Sequence, residues 1–303
     1  DGEVHSCAET HACPKFDCSY LRAFVMTLTI LQKTHPLPNM KLVMSAGDLT
    51  MDAFDNIPVF TRVGTRWTNT IGLPAEWQLH PHQCFKHVRK AMQLAEQVPW
   101  EKRQSVLIWR GSFSNCRFPQ CKMALADASP EGMEACGRLL PDETRNCTWN
   151  FTSWLQMPRG RLVWLSRFVS SIDAKFVLST SRDTVDPSSK SLEADPDLED
   201  FLRDEGLIED PMRVEDQAGF KYTVAVDGDS AADRLYWQLF MGSVILIPNS
   251  PWRVLSVHDM LQPYVHYVPV RYDLSDLVEK VNWLRDNDAK ARTIARNGIQ
   301  FAQ

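Results

Sequence analysis

The sequence predicts an α/β protein with parallel strands, arranged in two domains. Three observations carry this prediction. Short apolar runs alternate with stretches of helical period, the pattern of a parallel sheet covered by helices. Residues 221–247 read as a complete βαβ unit. The length of 303 residues, 44% of them hydrophobic, suffices for two cores and excludes a disordered chain.

The elements follow in order. Residues 19–34 are expected as a helix, with Leu21, Phe24, Val25, Leu28 and Leu31 at helical spacing and Pro36 beyond its end. Residues 41–44 form a short strand that ends at Ser45-Ala46-Gly47-Asp48, and 57–60 a second one. An amphipathic helix over 83–97 is stopped by Pro99. A second α/β run opens with the apolar strand 105–109, which stops at Arg110-Gly111-Ser112. Residues 113–157 show no sustained period and read as a disulfide-stapled insertion. A helix is expected over 161–171 and a strand over 175–178. The polar, acidic residues 181–215 read as a surface loop with one short helix.

In the βαβ unit, strand 222–226 leads into the turn Asp227-Gly228-Asp229-Ser230. A helix over 231–241 follows, with Gly242 as its stop and 244–247 as the next strand. The helix start lies at the carboxyl end of a strand, where backbone N–H groups suit a phosphate. Strand 265–270 comes next, and two helices close the chain, one N-capped by Ser275 and one starting near Asp288.

Charge and cysteine usage narrow the class. Thirty-three Lys+Arg against 38 Asp+Glu give a formal charge of -5, so no nucleic-acid partner is expected. The longest apolar runs, such as 23–26 and 244–248, are far short of the roughly 20 residues of a membrane span. Membrane attachment would come only through a removed amino-terminal segment.

Eight cysteines, Cys7, Cys13, Cys18, Cys84, Cys116, Cys121, Cys136 and Cys147, include no C-x-x-C spacing. Their even number fits four disulfides of open connectivity. The last four share one segment and are expected to pair among themselves. Two glycosylation sequons, Asn146-Cys147-Thr148 and Asn150-Phe151-Thr152, lie in the same stretch. Together these favour an oxidising compartment: the lumen of the endoplasmic reticulum or Golgi, or secretion.

Several constellations bear on chemistry. Asp227-Gly228-Asp229 has the form by which two carboxylates hold a divalent metal, yet the same residues suit a tight turn before a helix, and the turn is favoured. Gly228-Asp229-Ser230 resembles a lipase serine block, but no D-x-x-H follows to supply acid and base. His80-Pro81-His82 with His87 reads as solvated loop histidines rather than a metal cluster. Asp48 follows a strand and a glycine, at the edge where α/β folds place ligands. Arg110 ends a strand beside Gly111 and Ser112, and two readings stand level: neutralising a diphosphate, or forming a surface ion pair.

Longer stretches carry a resemblance. Pro99-Trp100-Glu101-Lys102 runs into Trp109-Arg110-Gly111-Ser112, and Ala174-Lys175-Phe176 follows. Then come Gly219-Phe220-Lys221-Tyr222 through Asp227-Gly228, Ala231-Ala232-Asp233-Arg234-Leu235 and Gly242-Ser243-Val244. The series ends with Gln262-Pro263-Tyr264-Val265-His266-Tyr267-Val268-Pro269-Val270, Asp273-Leu274-Ser275-Asp276-Leu277 and Ala295-Arg296-Asn297-Gly298. In this order they resemble glycosyltransferase family 90, which includes protein O-glucosyltransferases and capsule-associated xylosyltransferases.

The resemblance implies a GT-B architecture of two Rossmann-like domains facing across a cleft. Its division would be an acceptor-side domain over 1–98, a UDP-sugar domain over 99–286 with the insertion at 113–157, and a terminal helix over 287–303 returning to the first domain. It implies an inverting transfer of glucose or xylose from a UDP-sugar to a hydroxyl of a protein Ser/Thr or a glycan, with no metal and no other cofactor. Asp48 matches the family's general base. Arg110, Gly111 and Ser112 match its donor site, as does the stretch Asp227, Gly228, Asp229, Ser230, Ala231 to Arg234. The alternative is a non-catalytic domain of the same fold that binds glycan or protein partners. The 113–157 segment is longer than the family pattern.

Overall fold

The computed structural model describes residues 90–113, 150–178, 195–228 and 231–302, less positions 153, 233, 251, 255 and 256. Nearer the amino terminus it describes 28–29, 32–33, 35, 43–45, 59–61, 63–65 and 70–72. The chain divides into two units, Asp1–Val88 with Trp252–Met260, and Arg89–Pro251 with Leu261–Gln303. The described strands are β1 (Val43–Ser45), β2 (Val59–Thr61), β3 (Val63–Thr65), β4 (Thr70–Gly72), β5 (Gln104–Gly111), β6 (Ile172–Val177), β7 (Ile208–Glu209), β8 (Phe220–Val224), β9 (Val244–Pro248), β10 (Trp252–Val254) and β11 (Val268–Val270).

In the first unit β1, β2 and β4 form a parallel sheet with β2 in the middle, Val43 opposite Val59 and Val59 opposite Thr70. β1 and β2 fall close to the two strands expected at 41–44 and 57–60. β3 pairs antiparallel with β10, and neither was legible: each is three residues long, too short to show a period. Asp48, the histidines at 80, 82 and 87, and all eight cysteines lie outside the described residues.

The second unit is built on six parallel strands in the order β11-β9-β8-β5-β6-β7. β5 is laid first and stays inside. β6 and β7 step out on one side; β8, β9 and β11 step out on the other. The direction of winding therefore reverses between β5 and β8, and such a switch point opens a crevice beyond the strands' carboxyl ends. Both faces of a parallel sheet are covered, which is why β8 and β9 are buried along their whole length. Trp109, Phe176 and Tyr222 are fully buried, and Phe113 stacks on Phe176 at 4.2 Å. Each such side chain contributes about 1.5–3 kcal/mol.

Helix α1 (90–97) precedes β5. Helix α2 (Pro158–Ser166) starts and ends earlier than the expected 161–171. Pro158 sets the start, because its fixed φ and missing N–H suit the first helical turn. The turn before it buries Trp154 and Met157 in the core, so 150–157 belongs to the body of the domain and not to an insertion. The proposed disulfides of 113–157 lie outside the described residues.

Within 181–215, where a surface loop with one short helix is expected, the described residues from 195 onward hold that helix and further structure beyond it. Helix α3 (Pro196–Asp204) is capped by Asp195, whose carboxylate accepts from Asp197 N at 3.0 Å, and it buries Leu198 and Leu202 completely. Its apolar stripe is narrow among acidic residues, which leaves its bounds unmarked in the sequence. β7 and helix α4 (Val214–Gln217) follow.

Helix α5 spans Leu235–Phe240, not 231–241. The carboxylate of Asp227 accepts from Ala232 N at 3.1 Å and holds that residue in the turn, so the helix begins later. Gly242, at φ +71°, ends it as expected. Arg103 fastens the end: its guanidinium donates to the carbonyls of Val98, Met241 and Gly242 at 3.0, 2.9 and 2.8 Å. Burial lowers its pKa to about 10.

Helix α6 (Leu277–Asp286) is preceded by Asp276, not Ser275, at the N-cap, and that side chain makes no capping bond. Ser275 instead donates to Asp273 Oδ1 at 2.7 Å. Helix α7 (Asp288–Ala302) packs on α5 and β9. Gly298 faces the carbonyl of His266 and the side chain of Leu239 there. No described helix is long and apolar enough to cross a membrane.

Candidate active site

Along β5 successive side chains point to opposite faces, and this parts Trp109 from Arg110. Trp109 is fully buried, and its ring folds over Gly111 so tightly that a Cβ there would lie 2.4 Å from Cζ2. Glycine is required at 111 by this close approach. Two guanidiniums lie over the same indole, Arg159 at 5.7 Å and Arg234 at 5.4 Å from the ring centre.

Both arginines are held by backbone carbonyls. Arg159, in the first turn of α2, donates from Nε to the Asp227 carbonyl at 2.8 Å and from Nη1 to the Ser112 carbonyl at 2.9 Å. Arg234, the residue before α5, donates from Nη1 to the Arg110 carbonyl at 2.8 Å. The loops leaving β5 and β8 are thereby clamped at the switch point. Asp227 is buried beside them and spends Oδ1 on the Ala232 amide.

Tyr272, past β11, joins the cluster. Burial pushes its hydroxyl well above the usual tyrosine range, the nearby Asp227 carboxylate adds to this, and Arg159 opposes it. Its hydroxyl and the indole Nε1 of Trp109 are buried, with no hydrogen-bond partner among the described residues. Buried donors left unpaired cost about 1–3 kcal/mol each.

Arg110 turns the other way. Its guanidinium grips Asp173 with both Nη atoms, at 2.9 and 3.0 Å, and reaches Glu209 at 2.6 Å, with the side chain only 5% exposed. This is the ion-pair alternative, buried rather than at the surface, and it ties β5 to β6 and β7. Of the site residues expected from sequence, the structure brings together Gly111, Ser112, Asp227 and Arg234 at the carboxyl ends of β5 and β8. Gly228, Ala231 and Ala232 are buried in the same turn. Asp229 and Ser230, like Asp48, lie outside the described residues. Because α5 opens at Leu235, no helix start stands at 230 to receive a phosphate, and positive charge at this edge comes from guanidiniums.

Arg159 was missed. It is separated from Trp109 by a long aperiodic segment, and its one local signal is its place just after the helix-opening Pro158. Among the described residues no group of three His, Cys, Asp or Glu side chains could hold a metal.

A parallel α/β sheet with a charged, tightly clamped switch point has the form of the α/β domains that bind ligands at the strands' carboxyl edge. Comparison with known proteins says which kind. Residues 180–303 match the model of glycosyl transferase family 90. The chain is 26% identical over 290 residues to protein O-glucosyltransferase 1 of Rattus norvegicus, covering 90% of this chain and 59% of that protein. It is 45% identical over 84 residues to protein O-glucosyltransferase 2 of Danio rerio, covering 28% of this chain and 17% of that one. An uncharacterized protein, 179R of Invertebrate iridescent virus 6, is 28% identical over 264 residues, 81% of this chain and 18% of its own length. The chain thus spans less than a fifth of two of these relatives and about three fifths of the third. These findings show a similarity to glycosyltransferase family 90, and residues 180–303 carry the match to the family's model.

Proposed function

We propose that the protein transfers a sugar, glucose or xylose, from a UDP-sugar to a hydroxyl of a protein or glycan acceptor, inverting the anomeric centre and using no metal. The observation that carries this reading is the Arg159–Trp109–Arg234 cluster at the switch point of a chain similar to family 90. In this reading the donor diphosphate meets Arg159 and Arg234, the Asp227–Ala232 turn and Gly111-Ser112 line the donor, and Arg110 acts by fixing the strand end rather than by touching the diphosphate. Asp48, in the first unit, is the base. It takes the proton as the acceptor oxygen bonds to the anomeric carbon, while the bond to UDP breaks and its electron pair leaves with the diphosphate. Guanidiniums fixed by carbonyls need no rearrangement to meet that growing charge, and the loss of one such donor typically costs about 10²–10³ in rate. The GT-B arrangement and residence in the secretory lumen belong to the same proposal.

The test is UDP release from a panel of UDP-sugars, with and without candidate acceptors, for wild type and Asp48→Asn. Turnover with UDP-glucose or UDP-xylose is expected. Asp48→Asn should lose it by about 10² or more while UDP affinity holds. UDP binding without turnover on any donor would instead favour a non-catalytic binding domain.

A further inference from the structure

We propose that Asn150 carries an N-linked glycan whose first sugars lie over an exposed aromatic shelf beside it. This rests on the secretory residence proposed above. The sequon Asn150-Phe151-Thr152 has threonine at its third position and no proline between. Asn150 is exposed and outside any helix or strand, so a bulky sugar there can extend into solvent. Its Oδ1 accepts from the Thr152 amide at 2.9 Å, a local turn that needs no tertiary fold. The turn is therefore available to a chain still being made, and it polarises the side-chain amide. In the transfer, Nδ2 bonds to the anomeric carbon of a diphosphate-linked oligosaccharide, the sugar–phosphate bond breaks with its electrons on the lipid diphosphate, and Nδ2 gives up a proton.

The shelf is the second observation. Phe151 is 54% exposed and Phe168 67%, although both belong to one aromatic cluster, and Leu155 is 37% exposed. Phe151 meets Phe201 at 5.4 Å, Phe201 meets Trp164 at 6.2 Å, and Trp164 meets Phe168 at 5.0 Å. Rings anchored from below but bare above, starting at the residue next to the sequon asparagine, offer the C–H face of an N-acetylglucosamine a fixed platform.

The full chain is expressed in animal cells behind a cleavable secretion signal, with a known efficient sequon appended at its carboxyl end. Secreted protein is analysed by peptide mass spectrometry before and after peptide-N-glycosidase treatment. The Asn150 peptide is expected to be mostly glycosylated, to lose its glycan in Thr152→Ala, and to keep it in Thr152→Ser. Asn150→Gln should raise the binding of a hydrophobic dye several-fold, and Asn150→Gln with Phe168→Ser should return it towards wild type. Secreted chains glycosylated at the appended sequon but bare at Asn150 would overturn the proposal. UDP release by Asn150→Gln, expected to equal that of wild type, keeps this outcome separate from the question of sugar transfer.

Discussion

Arg110 and Arg159 show why a residue's type at a motif position does not settle its work. Arg110 stands in the more distinctive motif, Trp109-Arg110-Gly111-Ser112, yet its charge is taken up by Asp173 and Glu209. Arg159 stands in no recognised motif and lies over the Trp109 ring, bonded to the loops that close the switch point. The two should therefore fail differently. Arg159→Ala removes a charge-assisted contact to UDP of about 1.5–3 kcal/mol, or roughly 10–100-fold in affinity. Arg110→Ala leaves two part-exposed carboxylates without their cation, and stability should fall by about 1–3 kcal/mol. Calorimetry with UDP and urea unfolding of both variants check this. Unchanged UDP affinity in Arg159→Ala would move the donor site elsewhere.

At the scale of elements, α7 is fastened at its first residue. Asp288 accepts from Lys221 Nζ at 2.7 Å and from Trp100 Nε1 at 3.0 Å, which joins the helix start to β8 and to the turn before β5. Burial raises the Asp288 carboxyl pKa, but these two bonds and the charges of Lys221 and Arg292 outweigh it, and the pKa lies below the ordinary value. A carboxyl that is more acidic folded than unfolded stabilises the fold above its unfolded pKa, and that contribution disappears as pH falls through the folded one. Wild type should thus exceed Asp288→Asn in stability near pH 6, with the gap closing as pH drops through about 4 and below. Urea midpoints across that range test it, and a constant gap would exclude the ion pair as its source.

The elements also show what the sequence could display. β5 and β9 were legible because strands buried on both faces carry apolar runs, and β8, with Lys221 and Thr223 in its run, because its other residues are aromatic or β-branched. For α3 only the existence of a short helix was legible, not its bounds, because it shows the core only Leu198, Leu202 and part of Phe201 amid acidic residues. The length of α5 was misread because nothing local says that Asp227 will claim the Ala232 amide. Gly111, Ser112, Asp227 and Arg234 could be gathered from motifs on the two strands that flank the switch point. Arg159 reaches the same place from a helix whose approach only the fold creates.

For the molecule as a whole, the open question of charge balance is how a diphosphate leaves without a cation. Read alone, Asp227-Gly228-Asp229 invites Mn²⁺ or Mg²⁺ bridging the donor, and loss of activity in chelator. In the folded chain Asp227 is buried, and its Oδ1 is committed to the turn through Ala232. A metal would have to compete with that bond and would sit beside Arg159, which already donates to the Asp227 carbonyl. Arg159 and Arg234 bring two fixed positive charges to the same edge, and guanidiniums pair with phosphate oxygens in a planar, two-pronged way. In the proposed transfer the charge developing on UDP is met by these side chains. Full turnover is therefore expected in excess EDTA, and Asp227→Asn should act through the turn, lowering stability without creating a response to Mn²⁺. Activity that vanished in EDTA and returned with Mn²⁺ would assign the diphosphate to a metal and leave the two arginines as clamps on the loops they join.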